Sequence, residues 1–202
     1  MTVTNLEKKR KFLTAVYIDH EYAMDLDTRV LEENRIVQGT ELTDEKLYSL
    51  LLESQHRRAK EKALWLLSFR DHSSKELYDK LIKDYSEEIS EATVNRMKEL
   101  RLINDEVYAK KLAKDLLSKH QSPSNIRYKL IQKGFPREEA ELIVEELDIN
   151  PVDEICALIE KKYINKLADE KGLRRTVAAL QRAGYKWSDI KSALAHYTED
   201  NF

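Results

Sequence analysis

The sequence predicts a mainly α-helical protein, with three tandem three-helix repeats in an elongated, curved array behind a small N-terminal unit of a β-hairpin and a short helix. Its 202 residues include only four glycines and three prolines, too few for the many turns of a β-sandwich or a doubly wound α/β domain. Hydrophobic residues make up 42% of the chain, which argues against disorder. Apolar stripes at helical spacing also recur about 50 residues apart, over 140–147 and 190–197, and such a period is typical of stacked helical units.

The first 42 residues are predicted to form the small N-terminal unit. Residues 12–18 favour a β-strand, residues 19–21 a turn, and residues 22–24 a returning strand. Asp27 is a suitable cap for a short helix through Glu33, after which a glycine ends the unit. Because an isolated hairpin is marginally stable in water, this unit is expected to pack on the helices that follow.

Residues 43–106 are predicted to form a linking helix and the first repeat. Thr43 is a suitable N-cap, and no breaker interrupts the helical pattern before Arg70, which predicts one helix of about 26 residues. Residues 73–76 have the S-x-x-E pattern of a capping box, which opens the second helix. The third helix is expected around Val94 and Met97.

The second repeat is predicted over residues 107–150. Asn104 or Asp105 is expected to cap its first helix. Ser122 and Pro123 open the second helix, with proline in the first helical position, and Pro136 starts the third.

The third repeat is predicted over residues 151–202. Asn150 and the proline after it open its first helix. Gly172 is expected to separate the first helix from the second, and Ser188 to cap the third.

Three segments of the sequence resemble the RecX family of regulatory proteins. The segment at 63–81 reads ALWLLSFRDHSSKELYDKL, similar to the family's A-x-x-x-L-x-x-R-x-x-S-x-x-E-L-x-x-K-L. The segment at 102–109 reads LINDEVYA, and that at 126–135 reads IRYKLIQKGF, similar to L-I-N-D-x-x-Y-A and I-x-x-x-L-x-x-K-G-I. The N-terminal hairpin resembles that of the Gram-positive members, with His20 where a D-G-E turn is common.

The resemblance implies a modular, non-enzymatic regulator, mainly an inhibitor, of the bacterial recombinase RecA. It implies binding along the groove of the RecA filament on single-stranded DNA, where the protein limits extension or promotes disassembly and contacts DNA itself. A role in recombination, DNA repair and the SOS response follows from the same resemblance. The sequence departs from the family at Arg101 and Ser122, where glycine is frequent, so the turn geometry is open at both.

The near-neutral net charge of −2 conceals segregated charges. Residues 107–137 carry eight basic side chains and one acidic one, whereas residues 138–148 carry six acidic and no basic ones. Residues 156–191 are again basic, with nine against four. Basic surfaces of this kind suit a phosphate backbone or an acidic protein surface. Given the resemblance, the predicted basic face that binds the filament or DNA consists of Lys110, Lys111, Lys114, Lys119, Arg127, Lys129, Lys133, Lys161, Lys162, Lys166, Lys171, Arg174 and Arg175.

Aromatic residues allow two interpretations. Tyr108, Tyr128 and Tyr163 lie among the basic residues and are candidates to stack on unpaired bases, although half-buried packing is the commoner role of such tyrosines. Trp65 and Phe69 are interpreted as core of the first repeat.

No catalytic, metal or cofactor site is predicted. The five histidines are far apart and lack zinc-ligand spacing, and four glycines leave no room for a phosphate-binding loop. No apolar run approaches the roughly 18 residues of a membrane span, and the N-terminus has no apolar signal region. The single cysteine, Cys156, cannot form an internal disulfide and points to a reducing compartment, so we expect a cytoplasmic protein with no membrane contact. The resemblance implies a bacterial protein, and we expect it to be a monomer.

An alternative function remains open at this point. A helical-repeat adaptor would bind only proteins, and its charges would serve solubility. The salt dependence of binding separates the two, because phosphate contacts weaken steeply with salt and apolar docking does not.

Overall fold

A computed structural model of the chain describes residues 1–10 and 12–197, so the last five residues of the predicted third repeat lie outside the described part. The described chain is mainly helical, with a small antiparallel sheet at its N-terminus, and the predicted fold class is confirmed. The chain divides into two compact units, Met1–Ile103 and Asn104–Phe202. Within the described ranges, no helix is both long enough and apolar enough to cross a membrane.

The N-terminal sheet has three strands in the order β1-β2-β3, each antiparallel to its neighbour. The strands are β1 (Val3–Arg10), β2 (Leu13–Ile18) and β3 (Glu21–Asp27). The predicted hairpin corresponds to β2 and β3, but β1 was not expected from the sequence. Its last four residues, Glu7 to Arg10, are all charged and exposed. Such residues are tolerated because β1 is an edge strand, which pairs with a neighbour on one side only.

The sheet packs on the linking helix, as the marginal stability of a lone hairpin requires. The helices here are α1 (Thr28–Glu33) and α2 (Asp44–Phe69). Asp27 caps α1 by accepting a hydrogen bond from the backbone of Arg29 at 2.9 Å, and Thr43 caps α2. Both caps agree with the sequence prediction. The shared core consists of Val3, Val16, Leu26, Val30, Leu31, Ile36, Leu42 and Leu50.

The second half of α2 packs with α3 (Ser74–Leu81) and α4 (Glu87–Glu99) to form the first triplet. The predicted capping box of α3 is present, with Ser73 and Glu76 each bonding the other's backbone. The expectation that Trp65 and Phe69 belong to the core is wrong, because 59% and 68% of their surfaces are exposed. The core contacts of α2 come instead from Ala63 and its neighbours Leu66 and Leu67.

The second unit contains two further triplets of helices. The second triplet is α5 (Asp105–Leu117), α6 (Pro123–Gln132) and α7 (Arg137–Glu145). The third triplet is α8 (Pro151–Lys162), α9 (Glu170–Arg182) and α10 (Trp187–Leu194), with a short 3-10 helix, Ile164–Lys166, between α8 and α9. Each of the two triplets surrounds its own apolar core.

Two predicted boundaries in the third triplet are wrong. Gly172 does not separate two helices, because it lies within the first turn of α9. The N-cap of α9 is Asp169, whose carboxylate accepts a hydrogen bond from the N–H of Gly172. Ser188 is not the cap of α10, which begins at Trp187 after Lys186 and has no side-chain cap. By contrast, Asn104, Ser122 and Asn150 cap α5, α6 and α8 as expected.

Candidate nucleic-acid interface

The predicted basic residues all lie in the second unit, on the first two helices of each triplet and their connections. Lys110, Lys111 and Lys114 lie on α5, Lys119 follows it, and Arg127 and Lys129 lie on α6, which Lys133 ends. Lys161 and Lys162 end α8, Lys166 ends the 3-10 helix, and Lys171, Arg174 and Arg175 lie in the first half of α9.

The acidic helix α7 partly neutralises the basic helices beside it. The ammonium Nζ of Lys110 lies 3.1 Å from Oε2 of Glu146 and 3.2 Å from Oε1 of Glu106. These two carboxylates, Glu146 first, raise the pKa of Lys110. Nε of Arg127 lies 3.8 Å from Oε1 of Glu141, an ion-pair distance too long for a hydrogen bond. Two of the predicted contact residues are therefore already engaged within the protein.

Arg174 is also paired, but at the surface. Its guanidinium contacts Glu170 one helical turn earlier, and both side chains are more than three-quarters exposed. A pair of this kind adds about 0.3–0.5 kcal/mol and is screened by salt, so it exchanges easily for another partner. Arg174 therefore remains accessible to an outside anion.

Three other predicted residues, Lys166, Lys171 and Arg175, come together at one cleft. The cleft has a volume of about 630 Å³ and lies between the 3-10 helix and α9. Arg182 adds a fourth cation to its lining, and Asp169 supplies the one carboxylate among the lining residues. Within the described residues these four cations form no ion pair, so their charge is available to a ligand.

Arg182 was missed at the sequence level, although a signal for it existed. It follows Arg175 by seven residues, or two helical turns, and residues with that spacing share one helix face. A test for basic residues at this spacing would have found Arg182.

The tyrosines proposed for base stacking differ in their surroundings. Tyr108 packs against the second core, with its ring centroid 6.2 Å from that of Phe135. Tyr128 is 58% exposed, and its hydroxyl accepts a hydrogen bond from Gln132 at 2.7 Å. Tyr163 lines the cleft, and its ring centroid lies 5.1 Å from Nζ of Lys166. Tyr128 therefore presents more ring surface to a ligand than Tyr108 and Tyr163, which are both half-buried against a core.

The described residues contain no group of three or more His, Cys, Asp or Glu side chains that is placed to hold a metal ion. The described second unit is built from triplets of short helices, and four cations line the cleft at its surface. A cluster of cations of this kind suits an anionic ligand.

Several known proteins are similar to this chain. The family model for the first three-helix domain of RecX matches residues 59–97. The regulatory protein RecX of Clostridioides difficile is 26% identical over 198 residues, covering 96% of this chain and 93% of its own length. RecX of Caldanaerobacter subterraneus subsp. tengcongensis is 29% identical over 196 residues, covering 96% of this chain and 98% of its own. Over nearly its whole length the chain is therefore similar to regulatory proteins of the RecX family.

Solved structures agree with this fold. A crystal structure of the regulatory protein RecX aligns with a TM-score of 0.61 at 21% identity and covers 95% of this chain and 98% of that one. The crystal structure of RecX from Lactobacillus salivarius aligns with a TM-score of 0.60 at 23% identity, covering 71% of this chain and 96% of that one. At such identities the likeness concerns the fold alone.

Proposed function

We propose that this chain regulates the RecA recombinase, mainly as an inhibitor, by binding the RecA filament on single-stranded DNA. Its basic helical faces contact the DNA and the adjoining protomers and limit the extension or stability of the filament. The observation that carries the proposal is the cleft at α9, where four cations face one carboxylate. The similarity to regulatory proteins RecX over nearly the whole chain supports the choice of RecA as partner.

The proposed mechanism is a shift between filament states. A ligand changes such an equilibrium only by its different affinities for the two states. The cations of the second unit favour a state in which DNA phosphates or acidic protomer surfaces are accessible to them. A bound regulator then stabilises that state at the expense of the growing, ATP-hydrolysing filament.

The proposal is tested by the ATPase activity of RecA on single-stranded DNA, measured with and without the full chain. The wild-type protein is expected to lower the activity. The triple variant Lys114→Glu, Lys129→Glu, Arg175→Glu is expected to inhibit at least tenfold less well, because each reversal replaces an attraction to phosphate by a repulsion.

A matched control reverses three charges in the first unit, with Lys8→Glu, Lys60→Glu and Lys83→Glu. All three lysines are exposed, so the change in net charge is the same. This variant is expected to inhibit like the wild type. Equal inhibition by the triple variant of the second unit, with an unchanged circular dichroism spectrum, would contradict the proposed basic face.

A second candidate function is a helical-repeat adaptor that contacts only proteins. The exposed pair Trp65 and Phe69 favours it, because their rings meet edge to face at 4.8 Å on the surface of α2. Exposed aromatic clusters are enriched at protein interfaces. Binding to the filament that hardly changes between about 50 and 200 mM salt would favour this adaptor over phosphate contact.

A further inference from the structure

The cleft at α9 is formed by an insertion that the second triplet lacks. The cap residues of the first helices, Asn104 and Asn150, are 46 positions apart. The N-caps of the third helices, Pro136 and Lys186, are 50 positions apart. Four extra residues therefore lie between these two caps in the third triplet. The connection before α9 has seven residues where that before α6 has five, and α9 has 13 residues where α6 has 10. The 3-10 helix that forms one wall of the cleft occupies the connection before α9.

A close backbone contact holds the 3-10 helix against the first turn of α9. A Cβ atom on Gly172 would lie 1.9 Å from the carbonyl oxygen of Lys166, far inside any permitted contact. Only glycine allows the two segments to approach in this way. The contact brings Lys166 and Lys171, the residue before Gly172, into the lining of one cleft.

The floor of the cleft contains a polar group without a partner. Thr176 is fully buried and lines the cleft, and its hydroxyl Oγ1 has no hydrogen-bond partner in the described protein. With the offset of 50 that relates the second helices, Thr176 takes the place of Ile126, which is also fully buried. Leu77 has the corresponding place on α3. The other triplets have a hydrocarbon side chain at this position. A buried hydroxyl there lowers the stability of the fold unless an acceptor forms a hydrogen bond with it.

We infer that this cleft is a phosphate-binding subsite for single-stranded nucleic acid. Arg175 and Lys171 neutralise a backbone phosphate at the cleft, and the hydroxyl of Thr176 donates a hydrogen bond to one of its oxygens. Tyr163 offers its ring to the neighbouring base or sugar. The inference rests on the proposed function, because the filament is what presents single-stranded DNA to the protein.

The properties of the cleft match this ligand. A volume of about 630 Å³ is in the range of sites that take a group the size of a nucleotide. The cations outnumber the single carboxylate of Asp169, which is already bonded to the N–H of Gly172. The positive end of α9 adds to the attraction for an anion. A free nucleotide or inorganic phosphate shares the same chemistry, so the test includes both.

The experiment measures binding of the full chain to a fluorescent 20-residue oligothymidylate by anisotropy, over a series of salt concentrations. Arg175→Gln is expected to weaken binding about tenfold and to reduce the salt slope by about one, the change expected for one lost phosphate contact. Thr176→Val, which keeps the shape and removes the hydroxyl, is expected to weaken binding about threefold to tenfold. Thr176→Ser is expected to restore it.

The matched control is Lys191→Gln, which removes the same charge from α10 of the same triplet. Lys191 is exposed, does not line the cleft and lies outside the predicted basic face, so its loss is expected to change binding less than twofold. Oligonucleotide binding that is the same in wild type, Arg175→Gln and Thr176→Val would overturn the inference. Displacement of the oligonucleotide by submillimolar ATP or inorganic phosphate would overturn the assignment to nucleic acid.

Failure of the proposed function is distinguishable from failure of this inference. Oligonucleotide binding that responds to Arg175→Gln and Thr176→Val, by a protein that leaves the RecA ATPase unchanged, would contradict the function and support the subsite. Inhibition of RecA by wild type and both variants alike, with equal oligonucleotide binding, would contradict the subsite and leave the function standing.

Discussion

The hydroxyl of Tyr185 donates a hydrogen bond to the backbone carbonyl of His120, at 3.1 Å and across 65 positions of the sequence. Tyr185 lies between α9 and α10, and His120 lies between α5 and α6, so this bond joins the second and third triplets. Two more contacts join the same two triplets. The N–H of Ser122 donates to the carbonyl of Ala183 at 3.3 Å, and the ring Nδ1 of His120 lies 3.0 Å from Glu154.

We predict that Tyr185→Phe lowers the free energy of unfolding of the second unit by about 1 kcal/mol, because a buried hydrogen bond across the two triplets is lost. Tyr185 is only 5% exposed, so water does not replace the missing hydroxyl. Urea denaturation followed by circular dichroism measures the change. The exposed Tyr128→Phe serves as control and is expected to stay within about 0.5 kcal/mol of the wild type. Equal midpoints for all three proteins would show that the bond does not stabilise the contact.

Local signals in the sequence were sufficient for most helix starts. Thr43, Ser73, Ser122 and Asn150 cap the helices that they were expected to cap, because a cap depends on a hydrogen bond within about three residues. The strand β1 was missed for the opposite reason. Its place is decided by pairing with β2 and by its position at the edge of the sheet, and neither is visible in a charged stretch of sequence.

The candidate site was only partly predictable. The basic residues could be counted from the sequence, but the contact between Lys110 on α5 and Glu146 at the C-cap of α7 joins residues 36 positions apart. No periodicity within one helix reports such a pair. The cleft likewise depends on the close approach of Gly172 to Lys166. In the sequence Gly172 is an isolated glycine, which predicts a helix boundary and not a contact with another segment.

The turn between β2 and β3 leads to a prediction of increased stability. Asp19 and His20 have φ angles of 49° and 74°, in the left-handed region that costs a non-glycine residue about 1–2 kcal/mol. His20→Gly keeps the backbone N–H that donates to Thr4 and is expected to raise the free energy of unfolding by about 1 kcal/mol.

Thermal and urea unfolding of the wild type and His20→Gly measure this gain. The control His56→Gly makes the same exchange at an exposed position inside α2, where it is expected to lower the stability by about 1 kcal/mol. A loss of stability in both variants would show that the left-handed conformation of His20 carries no strain.

The stability of the first unit is predicted to fall as the pH decreases from 7 to 5, because of His72. This histidine is 4% exposed, and burial lowers its pKa below the usual value of 6.5. Below pH 6.5 the His72 ring is protonated in the unfolded chain but stays neutral in the folded protein. The contribution of this histidine to the free energy of unfolding is therefore complete above pH 6.5 and is lost on acidification. The ring Nδ1 lies 2.9 Å from the carbonyl of Arg70.

The measurement compares urea midpoints at pH 7 and pH 5 for the wild type and His72→Asn. Asparagine retains a donor near the carbonyl of Arg70 but does not titrate, so the variant is expected to lose less stability on acidification. An equal loss in both proteins would assign the acid sensitivity to other groups.

The pairing of Lys110 with the acidic helix α7 predicts a variant that binds better than the wild type. Nζ of Lys110 lies between Glu146 and Glu106, and Glu146→Gln removes the nearer carboxylate while preserving the shape of the side chain. We expect this variant to bind single-stranded DNA about threefold more tightly at low salt, since an exposed ion pair is worth about 0.2–1 kcal/mol and the released ammonium becomes available to phosphate.

The control Glu138→Gln removes the same charge from the opposite end of α7, and its affinity for single-stranded DNA is expected to rise less than half as much. The advantage of Glu146→Gln should shrink as salt screens exposed charges, and it should be matched by stronger inhibition of the RecA ATPase. Equal gains in both variants would mean that net charge, and not the release of Lys110, governs the affinity.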